Sequence, residues 1–259
     1  MSRVVPSSFA IHRFEEIDST NTWMAAAAAA GAPDRSVAVA DLQTAGRGRF
    51  DRRWEAPPAS ALLCSVLVRV HLDPPARHLA TVAVGLAALD TCAAAGAAGG
   101  LKWPNDLVAG DQKFGGILAE TDGRPSADGS VAIVVGLGIN LTWPGPPGVG
   151  ATCVADVSGR EPDRDALLDS FLLALDPLID ELGSAGGRAR LQRSYVDVLV
   201  TLGRTVRVEL PGESFEGVAS GLTEFGHLLV ATSSGTREVS AGDVVHLRSA
   251  TQGGQEARE

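Results

Sequence analysis

Several residue types are scarce in this sequence, and each scarcity excludes a class of protein. Only three cysteines occur among 259 residues, widely spaced and without a CxxC pair, so neither a disulfide framework nor a zinc site is expected. No apolar run reaches the roughly 20 residues that a helix needs to span a bilayer, and no signal peptide is recognisable. We therefore expect a reduced, cytoplasmic protein with no membrane partner.

Basic residues are fewer than acidic ones, which gives a formal charge of -9. This balance argues against a general nucleic-acid binder, because the basic footprint of such a protein dominates its surface. Common nucleotide signatures are missing too, since the chain has neither a GxxxxGK phosphate loop nor a GxGxxG after a predicted strand. The length suits one domain of about 200 residues plus a small module.

Lysine, asparagine and tryptophan are rare, and they cluster. Two of the 22 basic residues are lysines, and the whole chain has three asparagines and four tryptophans. All nine lie in or beside four short segments, at 19–23, 43–54, 101–113 and 136–143. Separate structural roles, with tryptophans in the core and asparagines in turns, would explain any one of these residues. They do not explain the clustering.

The segment 43–54, QTAGRGRFDRRW, places four arginines and two glycines in a loop that ends in a tryptophan. Gly46 and Gly48 let the backbone adopt positive φ and approach a ligand closely. The guanidinium groups of Arg47 and Arg49 suit bidentate contact with phosphate or carboxylate oxygens. These residues predict an anion-binding loop, although a solvated basic turn is the alternative for the GRGR string taken alone.

Strands and helices alternate along most of the chain. Strands are predicted at 9–17, 36–42, 61–70, 101–108, 113–121 and 131–141, and helices between a cap at 18–20 and Gly31 and at 75–97, 163–182 and 187–200. From residue 202 onward, five short strands separated by turns predict a small barrel. The predicted units are therefore 1–201 and 202–249, followed by a tail at 250–259 that we expect to be disordered.

Six segments in this order resemble the motifs of the biotin protein ligases, which attach biotin to a lysine of the biotin carboxyl carrier domain of carboxylases. They are STNT, QTAGRGR with Trp54, KWPND, KFGGILAE, GLGIN and the terminal LGRTVRV to AGDVVHL stretch. The resemblance implies an α/β (α+β) catalytic domain, with a mixed sheet flanked by helices as in class II aminoacyl-tRNA synthetases, and a C-terminal SH3-like β-barrel. The first motif begins at residue 19, so we expect the monofunctional type without an N-terminal DNA-binding domain. Phe50 and Asp51 depart from the family pattern, which has a further glycine and basic residues there.

The resemblance also implies an ATP-dependent ligase reaction in two steps, with ATP and biotin as substrates and Mg²⁺ as the metal. Biotin is first activated to biotinyl-5′-AMP and then transferred to the carrier lysine. We expect the two anionic reactants of the first step to be held by the catalytic residues Arg47, Arg49, Lys102, Asp106 and Lys113. Lys102 has a second interpretation, as a residue that orients Asp106, and Asp106 is either a Mg²⁺ ligand or a turn residue.

The binding residues follow from what each ligand needs. The ureido head of biotin needs donors and acceptors at fixed positions. The predicted biotin-binding residues are Ser19, Thr20, Asn21, Gln43, Gly46, Arg47, Trp54, Lys113, Gly115 and Gly116. The predicted ATP-binding residues are Arg47, Arg49, Trp54, Asn105, Lys113, Gly138 and Asn140. Helix capping is the alternative role for Ser19 and Thr20, and a strand-end turn is the alternative for Asn140.

Two rival functions stay open at this point. A lipoate-type ligase or acyltransferase with the same catalytic fold is the enzymatic rival, although the arginine loop, KWPND and GIN together favour biotin. A non-catalytic binding module is the second rival, and loss of Lys113 or of the arginines would have indicated it. We expect a monomer or weak homodimer that binds biotin, ATP and the carrier domain, and no nucleic acid.

Overall fold

The structure is a computed structural model that describes residues 8–247. Its centre is a seven-stranded mixed sheet with the strand order β1-β2-β3-β7-β6-β5-β4, in which β1 and β2 are parallel and every other pair is antiparallel. The strands are β1 (Ala10–Ile17), β2 (Ser36–Gln43), β3 (Ala61–Val70), β4 (Gly100–Lys102), β5 (Asp106–Ala109), β6 (Gln112–Glu120) and β7 (Val131–Asn140). The predicted neighbouring strands at 113–121 and 131–141 do pair, as β6 and β7.

Helices cover the two faces of this sheet unequally. They are α1 (Thr20–Ala29), α2 (His78–Ala94), α3 (Val154–Ser158), α4 (Arg164–Leu182) and α5 (Ala185–Val198). On one face, Met24 of α1 packs against Ala38, Leu67 and Val134 of the sheet. The opposite face packs against α2 and α4 in the main hydrophobic core. One face is thus covered by a single short helix, which leaves the rest of that face available for a site.

Two helix predictions need correction. The predicted helix at 75–97 begins later, because Pro74–Ala76 forms a separate 3₁₀ turn before α2 starts at His78. Proline has no backbone N–H, so Pro74 and Pro75 suit a first turn and not the interior of a helix. The short helix α3 was not predicted, because its five residues are too few to show a periodic pattern.

The C-terminal region forms a five-stranded antiparallel sheet with the order β11-β10-β9-β8-β12. Its strands are β8 (Thr205–Leu210), β9 (Glu213–Leu222), β10 (Leu228–Thr232), β11 (Gly235–Val239) and β12 (Asp243–His246). This sheet packs against the larger one, and Trp103 Nε1 donates to the carbonyl oxygen of Gly226 at 3.0 Å. The predicted tail at 250–259 lies outside the described residues, and within 8–247 no helix has the length and apolar character needed to cross a bilayer.

Candidate active site

The cross-strand register gathers one row of residues on the face that carries α1. Lys102 pairs with Asp106, Asp106 with Gly116, Gly116 with Gly138, and Gly138 with Leu63. Directly opposite residues on neighbouring strands share a face of the sheet, so these five positions lie side by side. The two glycines in the middle of the row leave an open floor with two charged residues at one end.

A cavity of about 380 Å³ lies over this floor. The start of α1, the arginine loop at 43–54, the KWPND turn and the C-terminal sheet form its walls. Every predicted site residue lines the cavity except Gly46, Gly115 and Asn140. Four lining residues come from the C-terminal sheet and were not expected from the sequence, namely Glu209, Asp243, Val244 and Val245.

One end of the cavity is lined by neutral hydrogen-bonding side chains, and we call it the neutral end. Ser19 caps α1, because its Oγ accepts from the backbone N–H of Thr22 at 3.4 Å. The backbone N–H and the hydroxyl of Thr20 both donate to Gln43 Oε1, at 2.7 and 3.0 Å. Ser65, fully buried on β3, lies 2.7 Å from Thr20 Oγ1. Capping and cavity lining therefore coexist at the start of α1. Ser65 was not predicted, although a lone hydroxyl in an apolar strand was a detectable signal.

The side-chain amide of Asn21 forms three hydrogen bonds with the protein at the neutral end. Its Nδ2 donates to the carbonyl oxygen of Leu118 at 3.1 Å and to Glu120 Oε2 at 2.8 Å, and its Oδ1 accepts from Ser65 Oγ at 2.6 Å. A Cβ at Gly136 would lie 2.1 Å from Asn21 Oδ1. The glycine at 136 therefore makes room for the side chain of Asn21.

The arginine loop folds as a compact hairpin. Gly48 N donates to the carbonyl oxygen of Arg52 at 2.7 Å, and Arg52 N donates to the carbonyl oxygen of Arg49 at 3.2 Å. The two residues between them, Phe50 and Asp51, have φ of 53° and 59°. This left-handed region is uncommon for residues other than glycine and is typical of the centre of a type I′ turn. The departure from the family pattern falls on these two positions.

Trp54, at the end of the loop, lies over the glycine floor. Its backbone N–H donates to the carbonyl oxygen of Gly46 at 3.0 Å. A Cβ at Gly138 would lie 2.6 Å from its indole ring and a Cβ at Gly116 would lie 3.1 Å from it. Its Nε1 is buried without a hydrogen-bond partner among residues 8–247. Gly115 faces the other side of β6, where a Cβ would lie 3.0 Å from the carbonyl oxygen of Gly138.

Two arginines near the loop tip are held by the C-terminal sheet. Arg49 Nη1 donates to the carbonyl oxygen of Gly242 at 3.2 Å, and Arg52 forms an ion pair with Asp243. Burial lowers the pKa of Arg49, and the nearby Asp106 carboxylate opposes that shift. The loop is therefore closed over the cavity from the side of the C-terminal sheet.

The other end of the cavity is charged, and we call it the charged end. Lys113 Nζ lies 2.6 Å from Asp106 Oδ1 and 5.6 Å from the centre of the Trp54 ring. A register shift between β5 and β6 next to Lys113 re-aims its side chain, as bulges near active sites do. Burial lowers the pKa of Lys102, with Lys113 adding to the shift and Asp106 opposing it. Together with Arg49, three cations surround one carboxylate, so this end suits an anionic ligand.

Comparison with known proteins places this arrangement in a family. Residues 14–140 match the Biotin/lipoate A/B protein ligase family, and residues 201–247 match the Biotin protein ligase C terminal domain. The chain is 39% identical over 239 residues to the biotin--[acetyl-CoA-carboxylase] ligase of Mycobacterium tuberculosis, which covers 89% of this chain and 86% of that protein. The chain belongs to the biotin protein ligase family. The resemblance of its six motifs is thereby confirmed.

Solved structures of the family share the fold of this ligase. The biotin protein ligase from Aquifex aeolicus in complex with biotin and ATP superposes with a TM-score of 0.74 at 25% identity, over 92% of this chain and 99% of that chain. The Leishmania major enzyme in complex with biotinyl-5-AMP gives a TM-score of 0.62 at 25% identity, over 89% and 98% of the two chains. The predicted mixed α/β fold with a smaller C-terminal β-domain is confirmed.

Two asparagines of the ligase that were predicted to bind ATP have their amide donors engaged by the protein. Asn105 Nδ2 donates to the carbonyl oxygen of Ile117. Asn140 Nδ2 donates to the carbonyl oxygens of Pro144 and Thr152, both at 3.1 Å. These bonds hold the turn after β4 and the loop after β7, which favours the structural alternative for Asn140. Nucleotide contact through either side chain stays a prediction.

Asp106 was predicted to bind Mg²⁺, but few acidic side chains lie near it. No group of three or more His, Cys, Asp or Glu residues that could hold a metal ion occurs in the described part of the chain. Asp106 offers one carboxylate, and its Oδ1 already contacts Lys113. Mg²⁺ in nucleotide sites is commonly bound by one or two carboxylates together with phosphate oxygens and water. Asp106 therefore fits Mg²⁺ only as a single carboxylate beside an ion that the phosphates carry.

Proposed function

We propose that this ligase activates biotin with ATP to biotinyl-5′-AMP and transfers the biotinyl group to a lysine of a biotin carboxyl carrier domain. The observation that carries the proposal is a single cavity with two unlike ends in a member of this family. The neutral end suits an uncharged polar head group, and the charged end suits phosphate and carboxylate. Biotin has both kinds of group, separated by an apolar tail.

Unused hydrogen-bond donors at the neutral end support a ureido ligand. The hydroxyl of Ser19 is buried and accepts one bond, but it donates to none of the described residues. Gln43 accepts two bonds at Oε1, and its Nε2 donates to no residue within 8–247. An unpaired buried donor such as Ser19 is costly, and Gln43 is partly buried beside it, so a ligand carbonyl oxygen that reaches both would gain two hydrogen bonds. The urea oxygen of biotin is such an acceptor.

The charged end supplies what the first step needs. A carboxylate oxygen of biotin attacks the α-phosphorus of ATP, the bond to the bridging oxygen breaks, and pyrophosphate leaves. Both reactants are anions, so the barrier includes their mutual repulsion and the charge that builds up at phosphorus. Arg49, Lys102 and Lys113 place positive charge at this end, whereas Arg47, the fourth predicted cation, is paired with Glu120. Mg²⁺, carried by the triphosphate, would supply further neutralisation, with Asp106 as one ligand.

Loop closure protects the intermediate. An acyl-adenylate is a mixed anhydride that water hydrolyses, so a closed site preserves it until the acceptor arrives. Trp54 lies over the floor at Gly116 and Gly138, and its unpaired Nε1 donor is available to bind the ligand. In the second step a carrier lysine amine attacks the anhydride carbonyl carbon, the bond to the phosphate oxygen breaks, and AMP leaves with the proton lost to solvent.

A lipoate-type reaction is the rival, and the neutral end argues against it. The dithiolane ring of lipoate has neither a carbonyl oxygen nor N–H groups, so it would leave the Ser19 and Gln43 donors without partners. For the buried Ser19 this costs about 1–3 kcal/mol, and the partly buried Gln43 amide would lose a partner as well. Biotin is therefore favoured over lipoate. The oligomeric state, expected to be monomer or weak homodimer, stays a prediction.

The test is ligand-dependent exchange of pyrophosphate into ATP. Purified protein with ATP and Mg²⁺ is given biotin, lipoate or no acid, and label exchange is measured beside mass spectrometry for the acyl-adenylate. We expect exchange and a biotinyl-5′-AMP mass with biotin alone. Equal exchange with and without biotin, or a stronger signal with lipoate, would contradict the assignment.

A further inference from the structure

A carboxylate at the end of β6 joins two parts of the site that are far apart in sequence. Glu120 Oε2 accepts from Asn21 Nδ2 at 2.8 Å and from Arg47 Nη1 at 3.1 Å, while its Oε1 lies 2.9 Å from Arg47 Nη2. Oε2 is therefore shared between Asn21 at the neutral end and Arg47 of the arginine loop, and Oε1 contacts Arg47 alone. We propose that Glu120 is a positioning residue that, through its ion pair with Arg47, holds the arginine loop over the neutral end of the cavity.

The hydrogen-bond inventory explains why this position requires a carboxylate. Both neighbours of Glu120 are donors only at the contact, because Arg47 has no acceptor and Asn21 presents its amide nitrogen. A carboxylate is an acceptor on both oxygens, so it satisfies a bidentate guanidinium and an amide at once. Glutamine at 120 would present one acceptor and one amide donor. With its oxygen at the Oε2 position, this glutamine would keep two of the three contacts and set its amide donor against Arg47 Nη2.

The rest of the network gives this contact a fixed reference point. Asn21 cannot shift easily, since Ser65 holds its Oδ1 at 2.6 Å and Leu118 holds its second amide hydrogen. Glu120 is itself on a strand of the central sheet. Arg47, by contrast, belongs to the loop and is half exposed. The carboxylate therefore ties an exposed arginine of the loop to residues that the central sheet and α1 hold in place.

The expected effect is on ligand retention and hardly on stability. Ion pairs between half-exposed side chains contribute little to folding, so the free energy of unfolding should change little when the charge is removed. Holding a loop over a ligand is different, because each lost contact opens the site while the ligand is bound. We expect Glu120→Gln to raise KM for biotin about tenfold, as for the loss of one charge-assisted hydrogen bond, with kcat at saturating biotin little changed.

The experiment combines kinetics with hydrogen exchange on the full chain and rests on the proposed function. Biotin-dependent pyrophosphate exchange and the amide exchange of residues 44–54 are measured for the parent, Glu120→Gln, Arg47→Gln and the double variant. Glu120→Gln should raise KM and speed loop exchange in the free protein. In the Arg47→Gln background the same substitution should add less than twofold, because Glu120 acts through Arg47. Glu120→Asp, which keeps the charge on a shorter side chain, should have a KM and a loop exchange rate between those of the parent and of Glu120→Gln.

Glu181→Gln is the matched control. Glu181 is a glutamate of similar side-chain exposure, 25% against 29% for Glu120, and it pairs with Arg190 at 3.0 Å on the helices away from the cavity. It should leave KM and loop exchange at parent values. Fully additive effects of the Glu120 and Arg47 variants, or a lower KM in Glu120→Gln, would overturn the proposal, the latter because Glu120 would then compete with the ligand for Arg47. Absence of biotin-dependent exchange in the parent would instead contradict the proposed function.

Discussion

The side chains at the two ends of the cavity differ in burial and in charge. At the neutral end, Thr20, Asn21 and Ser65 are almost completely buried, and their polar atoms lie within hydrogen-bond distance of one another or of Gln43. At the charged end, the side chains of Lys113 and Asp106 are 38% and 24% exposed, and cations outnumber carboxylates. The neutral end is therefore fixed before a ligand arrives, whereas the charged end retains a repulsion that an anionic ligand relieves.

This difference suggests that recognition and rate are separated in space. A rigid, neutral end selects the head group by hydrogen-bond geometry, because a wrong ligand leaves buried donors unpaired. A cation-rich end adds little selectivity, but it stabilises charge that grows in the transition state. Substitutions at the neutral end should then mainly change KM for biotin, and substitutions at the charged end should mainly change kcat.

The largest expected effect is at the charged end, in Lys113→Ala. Its ammonium group contacts Asp106 and points into the cavity, so its removal takes away charge that meets the transferring phosphoryl group. Loss of one such group lowers the rate on the order of 10² to 10³. Single-turnover formation of the adenylate is the measurement, with circular dichroism to confirm the fold.

Arg124→Ala is the control for Lys113→Ala, because Arg124 is an exposed cation in the loop between β6 and β7. It should adenylate at the parent rate. A near-normal rate in Lys113→Ala would assign that lysine a structural role, and a large rise in KM for biotin without a fall in kcat would break the separation of the two ends.

The second prediction concerns the neutral end, in Gly136→Ala. The added Cβ would lie 2.1 Å from Asn21 Oδ1, so the asparagine must leave its place between Ser65 and Glu120. We expect KM for biotin to rise about 10- to 100-fold, as for loss of one or two buried hydrogen bonds, with a smaller change in kcat. Gly221→Ala is the control, since a Cβ there meets only one atom, at 3.9 Å. Equal KM values in the two variants would mean that the position of Asn21 does not matter for binding.

The third prediction concerns Arg49, which belongs to the charged end and also contacts the C-terminal sheet. Arg49→Gly removes one cation and the hydrogen bond to the carbonyl oxygen of Gly242, while Lys113 remains. Some adenylate should still form, but it should escape before the carrier arrives, so that biotin incorporation into a bystander such as albumin rises about tenfold. Arg124→Gly should not change bystander labelling. Adenylate formation at a measurable rate without added labelling would show that Arg49 does not retain the intermediate.

Much of the fold could be predicted from the sequence, because its signals are local. The predicted strand at 61–70 coincides with β3, which is apolar except for Ser65 and Arg69. The clustering of rare residue types indicated several residues that line the cavity, among them Asn21, Trp54 and Lys113. Ser19 and Thr20 were each given two possible roles, and both line the cavity, but Ser19 alone caps the helix.

What could not be predicted depends on contacts between distant segments. Glu120 and Asp243 are two of 31 acidic residues, and neither differs in type or spacing from the others. Their importance appears only when the arginine loop folds between β6 and the C-terminal sheet. The need for glycine at 136 depends on the same kind of contact, since the atom that occupies the space belongs to Asn21, over a hundred positions earlier in the chain. The residue types of the site are visible in the sequence, whereas their partners depend on tertiary contacts.

The smallest expected effect concerns acid and a histidine of the C-terminal sheet whose pKa is affected by Lys102 of the charged end. His246 on β12 lies 3.2 Å from Thr201 Oγ1. Burial lowers its pKa from 6.5 to about 4, helped by the cations Lys102 and Arg204 and opposed by Asp111. The unfolded chain therefore binds more protons than the folded one between these two values. The contribution of neutral His246 to stability is fully present above pH 6.5 and is lost as the pH falls towards 4.

His246→Gln should remove this dependence, because glutamine keeps a hydrogen-bonding group beside Thr201 and does not titrate. Many carboxylates also titrate in this range, so the measurement is the difference between variant and parent in the free energy of unfolding by urea, at about pH 7 and about pH 4.5. We expect the parent to lose about 1 kcal/mol more than the variant, after allowance for solvent screening of a half-exposed ring. If the parent and His246→Gln lose equal stability between the two pH values, protonation of His246 does not contribute to the acid sensitivity of the fold.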